Sequence, residues 1–292
     1  MAHPALPSSL ARYDAMCDAA AAEVIAAYST SFSLATRLLP APQRRDVRNL
    51  YAMVRISDEI VDGAALSAGR DPASALDAYE RAVLAAPGVT FHTDPVLHAY
   101  AATARRCGFD PDHVRAFFSS MRRDVTQTHY DAAGFDAYVY GSAEVIGLLC
   151  LSVFLAGRRV DAAARAEMER GARTLGSAFQ KINFLRDYRE DQGILGRAYF
   201  PGLRERALDD ALKAALISDI RSELDTARRA IALLPPASRP AVAAAEALFR
   251  ELTDVLDATP AATLATARVR VPAHRKLLVT TRAAARAGVR RG

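Results

Sequence analysis

Apolar residues recur at three- and four-residue spacing in ten successive segments: Leu10–Tyr28, Val47–Val61, Ala73–Ala86, Val96–Cys107, Val114–Val125, Phe135–Ala156, Ala162–Tyr188, Leu208–Leu234, Ala241–Leu256 and His274–Ala287. That spacing lines one face of an α-helix. Breakers fall between the runs, among them Pro40, Pro42, Pro87-Gly88, Pro111, Gly157, Pro201-Gly202, Pro235-Pro236 and Pro260. No alternating series is long enough for a sheet, and no solenoid period is present. The chain is predicted to be all-α. With 292 residues, 51% of them hydrophobic, and no Gly/Ser- or Pro-rich linker, it reads as one domain over residues 1–292.

Composition excludes several classes. Cys17, Cys107 and Cys150 are widely spaced and form no CxxC pair, so neither a disulfide framework nor a zinc site is indicated, and a reducing cytoplasm fits. The N-terminus lacks the basic start and apolar core of a secretory signal. The longest apolar run, Val145–Gly157, is too short to span a bilayer and is expected to be a buried helix. No GxGxxG or Walker loop is present, so no nucleotide cofactor is expected, and the six histidines show no i, i+4 metal pair.

The net charge of +5 is unevenly placed. Residues 258–292 hold eight Arg or Lys and no Asp or Glu, and the remainder carries thirty basic against thirty-three acidic residues. No recognised nucleic-acid module accompanies this basic segment, so nucleic acid is not an expected partner. Diphosphate, an anionic membrane surface at the inner face, and a plain solvated helix remain open readings.

Two acidic stripes carry the chemistry. The first runs Arg55-Ile56-Ser57-Asp58-Glu59-Ile60-Val61-Asp62; the second holds Gln180, Asn183, Arg186, Asp187, Glu190 and Asp191. Residues four apart share a helix face, so Asp58 and Asp62 form one patch and Asn183, Asp187 and Asp191 another. Like charges at that spacing repel by a few tenths of a kcal/mol per pair unless a cation gathers the oxygens. Mg²⁺ suits the role, with Mn²⁺ as a substitute, because it takes oxygen ligands and bridges carboxylates to phosphates. Arg55 and Arg186, beside the stripes, can hold phosphate oxygens that a metal leaves free.

Beyond the stripes, the chain resembles the squalene and phytoene synthase family of head-to-head prenyltransferases, most closely its bacterial phytoene synthases. The resemblance rests on Tyr28-Ser29-Thr30-Ser31-Phe32 through Pro40, Leu50-Tyr51 leading into the first stripe, Tyr138 through Gly147, the second stripe with Gly196 to Pro201, and Arg268 through Lys276. It implies an isoprenoid-synthase-type helical bundle with a central apolar cavity. It also implies metal ligation by Asp58, Asp62, Asn183, Asp187 and Asp191, diphosphate and substrate contacts from Tyr28, Ser29, Thr30, Ser31, Tyr51, Arg55, Gln180 and Arg186, and prenyl diphosphate substrates. Two geranylgeranyl diphosphates would give phytoene; a C30 enzyme using farnesyl diphosphate, or a non-catalytic scaffold of the same fold, are the alternatives.

Three positions depart from the family's pattern. Glu59 stands where many members have Asp, Phe249 where some have Tyr, and Glu144 where a small residue is commoner. Each bears on substrate register rather than on a main metal ligand. Ser29 and Ser31 have helix capping as a competing role, and Tyr51 a core position with its hydroxyl paired.

Overall fold

The computed structural model describes residues 8–193, 196–203 and 206–289, apart from the side chains of Ser31 and Val289. Helices α1 (Ser9–Tyr28), α2 (Thr30–Thr36) and α3 (Ala41–Val61) open the chain. They are followed by α4 (Ala64–Ser67), α5 (Pro72–Ala85), α6 (Pro95–Cys107), α7 (Pro111–Thr126), α8 (Ala132–Val139) and α9 (Val145–Leu155). The second half holds α10 (Ala162–Arg186), α11 (Tyr188–Gly193), α12 (Asp210–Ile231), α13 (Arg239–Asp257), α14 (Ala261–Leu264) and α15 (Ala273–Val289). Among the described residues there is no strand, only an isolated bridge between His129 and Ala198.

The starts follow from local chemistry. Asp71-Pro72, Asp94-Pro95 and Asp110-Pro111 each place an aspartate as N-cap and a proline in the first turn, and each carboxylate accepts from a free backbone N–H two or three residues on. Proline costs nothing there, because its missing N–H has no intrahelical partner. Gly108, at φ +64°, closes α6 in the left-handed conformation that favours glycine.

All ten predicted helices are present, with shifted ends and three differences that bear on function. The segment between Tyr28 and Pro40 contains α2, started by Ser29, whose Oγ accepts from Phe32 N at 3.2 Å. A single π turn, Tyr140–Glu144, joins α8 to α9, so the predicted Phe135–Ala156 helix carries an irregularity facing the cavity. The predicted Ala162–Tyr188 helix ends at Arg186, because Asp187 leaves the helical conformation (φ −98°, ψ 8°).

The expected buried helix at Val145–Gly157 is present as Val145–Leu155, the end of a longer apolar stretch, Ala132–Leu155. Joined through the π turn it makes 24 helical residues, long and apolar enough by length and composition to cross a membrane, yet 61% of its most apolar window is buried inside the bundle. Its hydropathy serves the core: Val145, Leu149, Leu151 and Val153 are at most 3% exposed.

Helices α9, α10 and α12 pack unusually close. A Cβ on Gly176 would lie 2.5 Å from Ala143 O, and one on Gly147 would run into Ala172 O, so backbone meets backbone on this side of α10. These contacts bring α10, with its acidic end, against the π turn. Gly176→Val is expected to destabilise the protein by about 1–3 kcal/mol, from the cost of overpacking, as read from the urea midpoint. Gly88→Ala, where a Cβ meets open space, should leave the midpoint unchanged.

Candidate functional site

A cavity of about 1130 Å³ runs through the bundle, and both acidic stripes line it. The first wall is the last turn of α3. Asp62 caps the helix, and its N–H still donates to Asp58 O at 2.8 Å, so Asp58 and Asp62 stay one turn apart on one face. Arg55 pairs with Asp58 at 3.6 Å and closely with Glu59, and its guanidinium lies 4.3 Å from the centre of the Tyr28 ring.

The second wall is the end of α10 with α11. The chain breaks at Asp187, but Asp187 N donates to Asn183 O at 2.8 Å and Asp191 N to Asp187 O at 2.9 Å. The four-residue register therefore survives the break, and Asn183, Asp187 and Asp191 all reach the cavity with Gln180 and Arg186. Arg186 Nε donates to Asp187 Oδ1 at 2.9 Å, and Arg268 pairs with the same oxygen at 2.9 Å.

Arg197 joins the two walls. Its backbone N–H donates to Asp191 O at 2.7 Å on the second wall, and its Nη1 to Asp62 Oδ1 at 3.2 Å on the first. Nη2 donates to Asp124 O at 2.9 Å. The Asp124 carboxylate in turn accepts from the Tyr138 hydroxyl at 2.8 Å and the Tyr199 hydroxyl at 3.3 Å. Arg197 and Asp124 are each 8% exposed. The sequence reading gave neither a role; the clue available was a basic residue in the short Gly196–Pro201 segment directly after an acidic stripe.

Burial pushes the Asp58 carboxyl up to about 8, with Arg55 opposing and Asp62 and Asp124 adding repulsion. Asp191 is pushed to about 7 by burial and by Asp187, and Asp124 to about 7 by burial against the pull of Arg197. Crowded carboxyls held from water in this way are a setting that a divalent cation relieves.

The predicted residues come together. Tyr28, Ser29, Thr30, Tyr51, Arg55, Gln180 and Arg186 line the same cavity as Asp58, Asp62, Asn183, Asp187 and Asp191. The Ser31 side chain lies outside the described residues. Ser29 caps α2, as its competing reading held, while also facing the cavity. Tyr51 is half-buried, its ring 6.4 Å from Phe32.

The basic segment is divided. Arg268, Arg270 and Lys276 line the cavity, with Lys276 Nζ donating to Thr30 Oγ1 at 3.2 Å. Arg275 pairs with Glu251 at 2.9 Å instead. Arg290 and Arg291 lie outside the described residues.

The departures sort themselves by position. Glu59 is held by Arg55. Phe249 stacks on Phe179 with ring centres 3.7 Å apart and lies 5.6 Å from Phe32, so an aromatic wall occupies that part of the cavity. Glu144 does not line the cavity; it pairs with Arg173 at 2.7 Å.

Among the described residues no three His, Cys, Asp or Glu side chains converge into a ready cage for a metal. The oxygen donors are spread over two walls and partly engaged by arginines, so phosphate oxygens and water would have to complete any coordination, as is usual for Mg²⁺. The donor set otherwise fits: Asn183 Oδ1 is buried without a hydrogen-bond partner.

The squalene/phytoene synthase family model matches residues 25–275. The chain belongs to the squalene/phytoene synthase family. It is 31% identical to phytoene synthase 2 of Solanum lycopersicum over 256 residues, covering 81% of this chain and 80% of that one. It is 33% identical to the 15-cis-phytoene synthase of a Paracoccus species over 186 residues, covering 62% of this chain and 58% of that one. A crystal structure of a dehydrosqualene synthase matches the fold with a TM-score of 0.79 at 21% identity, covering 95% of this chain and 99% of that one. This squalene/phytoene synthase family member is thus a prenyltransferase of the phytoene synthase type, and its chemistry is head-to-head condensation of prenyl diphosphates.

Removing the buried cation that joins the walls tests the geometry. Arg197→Leu should cost about 3–5 kcal/mol in urea unfolding, since Asp124 and Asp62 lose their partner. Arg165→Gln, which breaks an exposed pair with Glu169, should cost no more than about 1 kcal/mol.

Proposed function

We propose that the protein condenses two molecules of geranylgeranyl diphosphate to phytoene through prephytoene diphosphate. The observation that carries this reading is one cavity with charged walls and a long apolar interior. From Asn183 back to Met168, both cavity residues, α10 rises about 22 Å at about 1.5 Å per residue. A stretched C20 prenyl chain measures about 20 Å and a C15 chain about 15 Å, from carbon–carbon bonds near 1.5 Å. A span of that length leaves room for a stretched C20 chain. Leu39, Leu151, Phe154, Ile231 and Leu234 line the interior, with no charged group among them.

Bound Mg²⁺, or Mn²⁺ in its place, would be held by Asp58, Asp62, Asn183, Asp187 and Asp191 and would supply neutralisation of diphosphate charge. Arg55, Arg186, Arg268 and Lys276 bind diphosphate oxygens, with Tyr28, Ser29, Thr30 and Gln180 as further contacts. Loss of the first diphosphate leaves an allylic cation; the double bond of the second substrate attacks it, and loss of a proton to the released diphosphate closes the ring of the cyclopropylcarbinyl diphosphate. A second ionisation, ring opening and proton loss give phytoene, with released diphosphate as the proton acceptor. Phe32, Phe179, Phe249 and Tyr51 present aromatic faces that favour a neighbouring cation. The apolar lining keeps out water that would trap each cation as an alcohol. No step calls for a reducing nicotinamide.

Purified protein incubated with Mg²⁺ and geranylgeranyl diphosphate, without NADPH, should yield phytoene by mass spectrometry. Squalene, dehydrosqualene or presqualene diphosphate formed in preference from farnesyl diphosphate would overturn the C20 assignment. Absence of turnover with either substrate would favour the scaffold alternative. Asp58→Asn and Asp187→Asn should each lower kcat at least about 100-fold, the scale of losing one electrostatic group in a preorganised site.

A further inference from the structure

Helix α15 is packed on one side only. Its inner side lies along α13, with Thr280 4% exposed and Lys276 turned into the cavity mouth. The outer side carries Leu277 and Leu278, 60% and 47% exposed. At the helical turn angle, Leu277, Leu278, Thr281 and Ala285 share that outer face, and Arg282 and Arg286 flank it along one edge, both exposed. The half-exposed Tyr28 ring stands near the same mouth, two residues from the Thr30 hydroxyl that Lys276 engages.

We propose that this face of α15 docks the protein on an anionic lipid surface, with the cavity mouth turned toward the membrane. Leu277 and Leu278 enter the headgroup–acyl boundary, and Arg282 and Arg286 meet lipid phosphates. Charge selects this occupant. With no Asp or Glu from residue 258 to 292, a second copy presenting the same face would meet cation with cation, whereas an anionic bilayer complements it. The purpose of the docking rests on the phytoene reading: a product without polar groups then passes from the cavity into lipid without crossing water. The docking itself is measured without turnover.

The test is flotation of the full chain with phosphatidylglycerol/phosphatidylcholine vesicles and with pure phosphatidylcholine vesicles, at low and high salt. The wild type should float with the anionic vesicles and be released by salt. Arg282→Gln/Arg286→Gln should lower the partition coefficient about 25-fold, at about fivefold per cation. Leu277→Ser/Leu278→Ser should lower it about tenfold. Both variants should keep the wild-type melting temperature and turn over detergent-dispersed substrate as the wild type does, since none of these four residues lines the cavity. Equal flotation with neutral and anionic vesicles, or variants that float like the wild type, would overturn the proposal. So would a concentration-dependent dimer in sedimentation that Leu277→Ser/Leu278→Ser abolishes. Flotation as expected with no turnover of either prenyl diphosphate would leave the docking standing and sink the phytoene reading.

Discussion

The buried Arg197 guanidinium is the interaction on which the site depends. Arg197 is bonded through its backbone to Asp191 on one wall and through its side chain to Asp62 on the other, so a single residue links them. A buried arginine is costly unless every donor is used. Here Asp62 Oδ1, Asp124 O, Val61 O and the Tyr199 hydroxyl take up its two terminal nitrogens.

Around that clamp the charges are arranged in layers. Arg55, Arg186 and Arg268 lie against the wall carboxylates, and Lys276 reaches over from α15 to Thr30. The same cavity is also lined by aromatic rings, Phe32, Phe179 and Phe249 among them, and by aliphatic side chains such as Leu39, Leu151 and Ile231. A lining of both kinds suits a substrate with a charged head and a hydrocarbon tail, because each part can meet the environment that costs it least desolvation. The glycine contacts at Gly147 and Gly176 bring α9 and α10 together beside this channel, where larger residues would force the backbones apart.

Much of the site was legible in one dimension because its residues repeat at helical spacing. Asp58 and Asp62, and Asn183, Asp187 and Asp191, were recognisable as faces before any fold was known, and both groups line one cavity. Arg197 and Asp124 were not legible, since neither belongs to a periodic pattern and their meaning comes from partners 135 and 73 residues away in sequence. Helix α2 was missed because Ser29, Thr30, Ser31 and Ser33 read equally well as loop, and only Ser29 acting as a cap turns the segment into a helix. Glu144 looked like a change within the site until its pairing with Arg173 placed it outside the cavity lining.

The amino-acid sequence by itself determined the helical class, the approximate extent of the long helices, and the grouping of acidic side chains on two of them. Those properties are local: they follow from turn geometry, capping and breakers within a few residues. Tertiary structure decided that both walls line one cavity, that Arg268, Arg270 and Lys276 belong to it, and that Phe249 belongs to an aromatic stack. These depend on the close packing of α9, α10 and α12 and on one buried cation between two walls. Contacts between residues far apart in the chain leave no periodic trace in it.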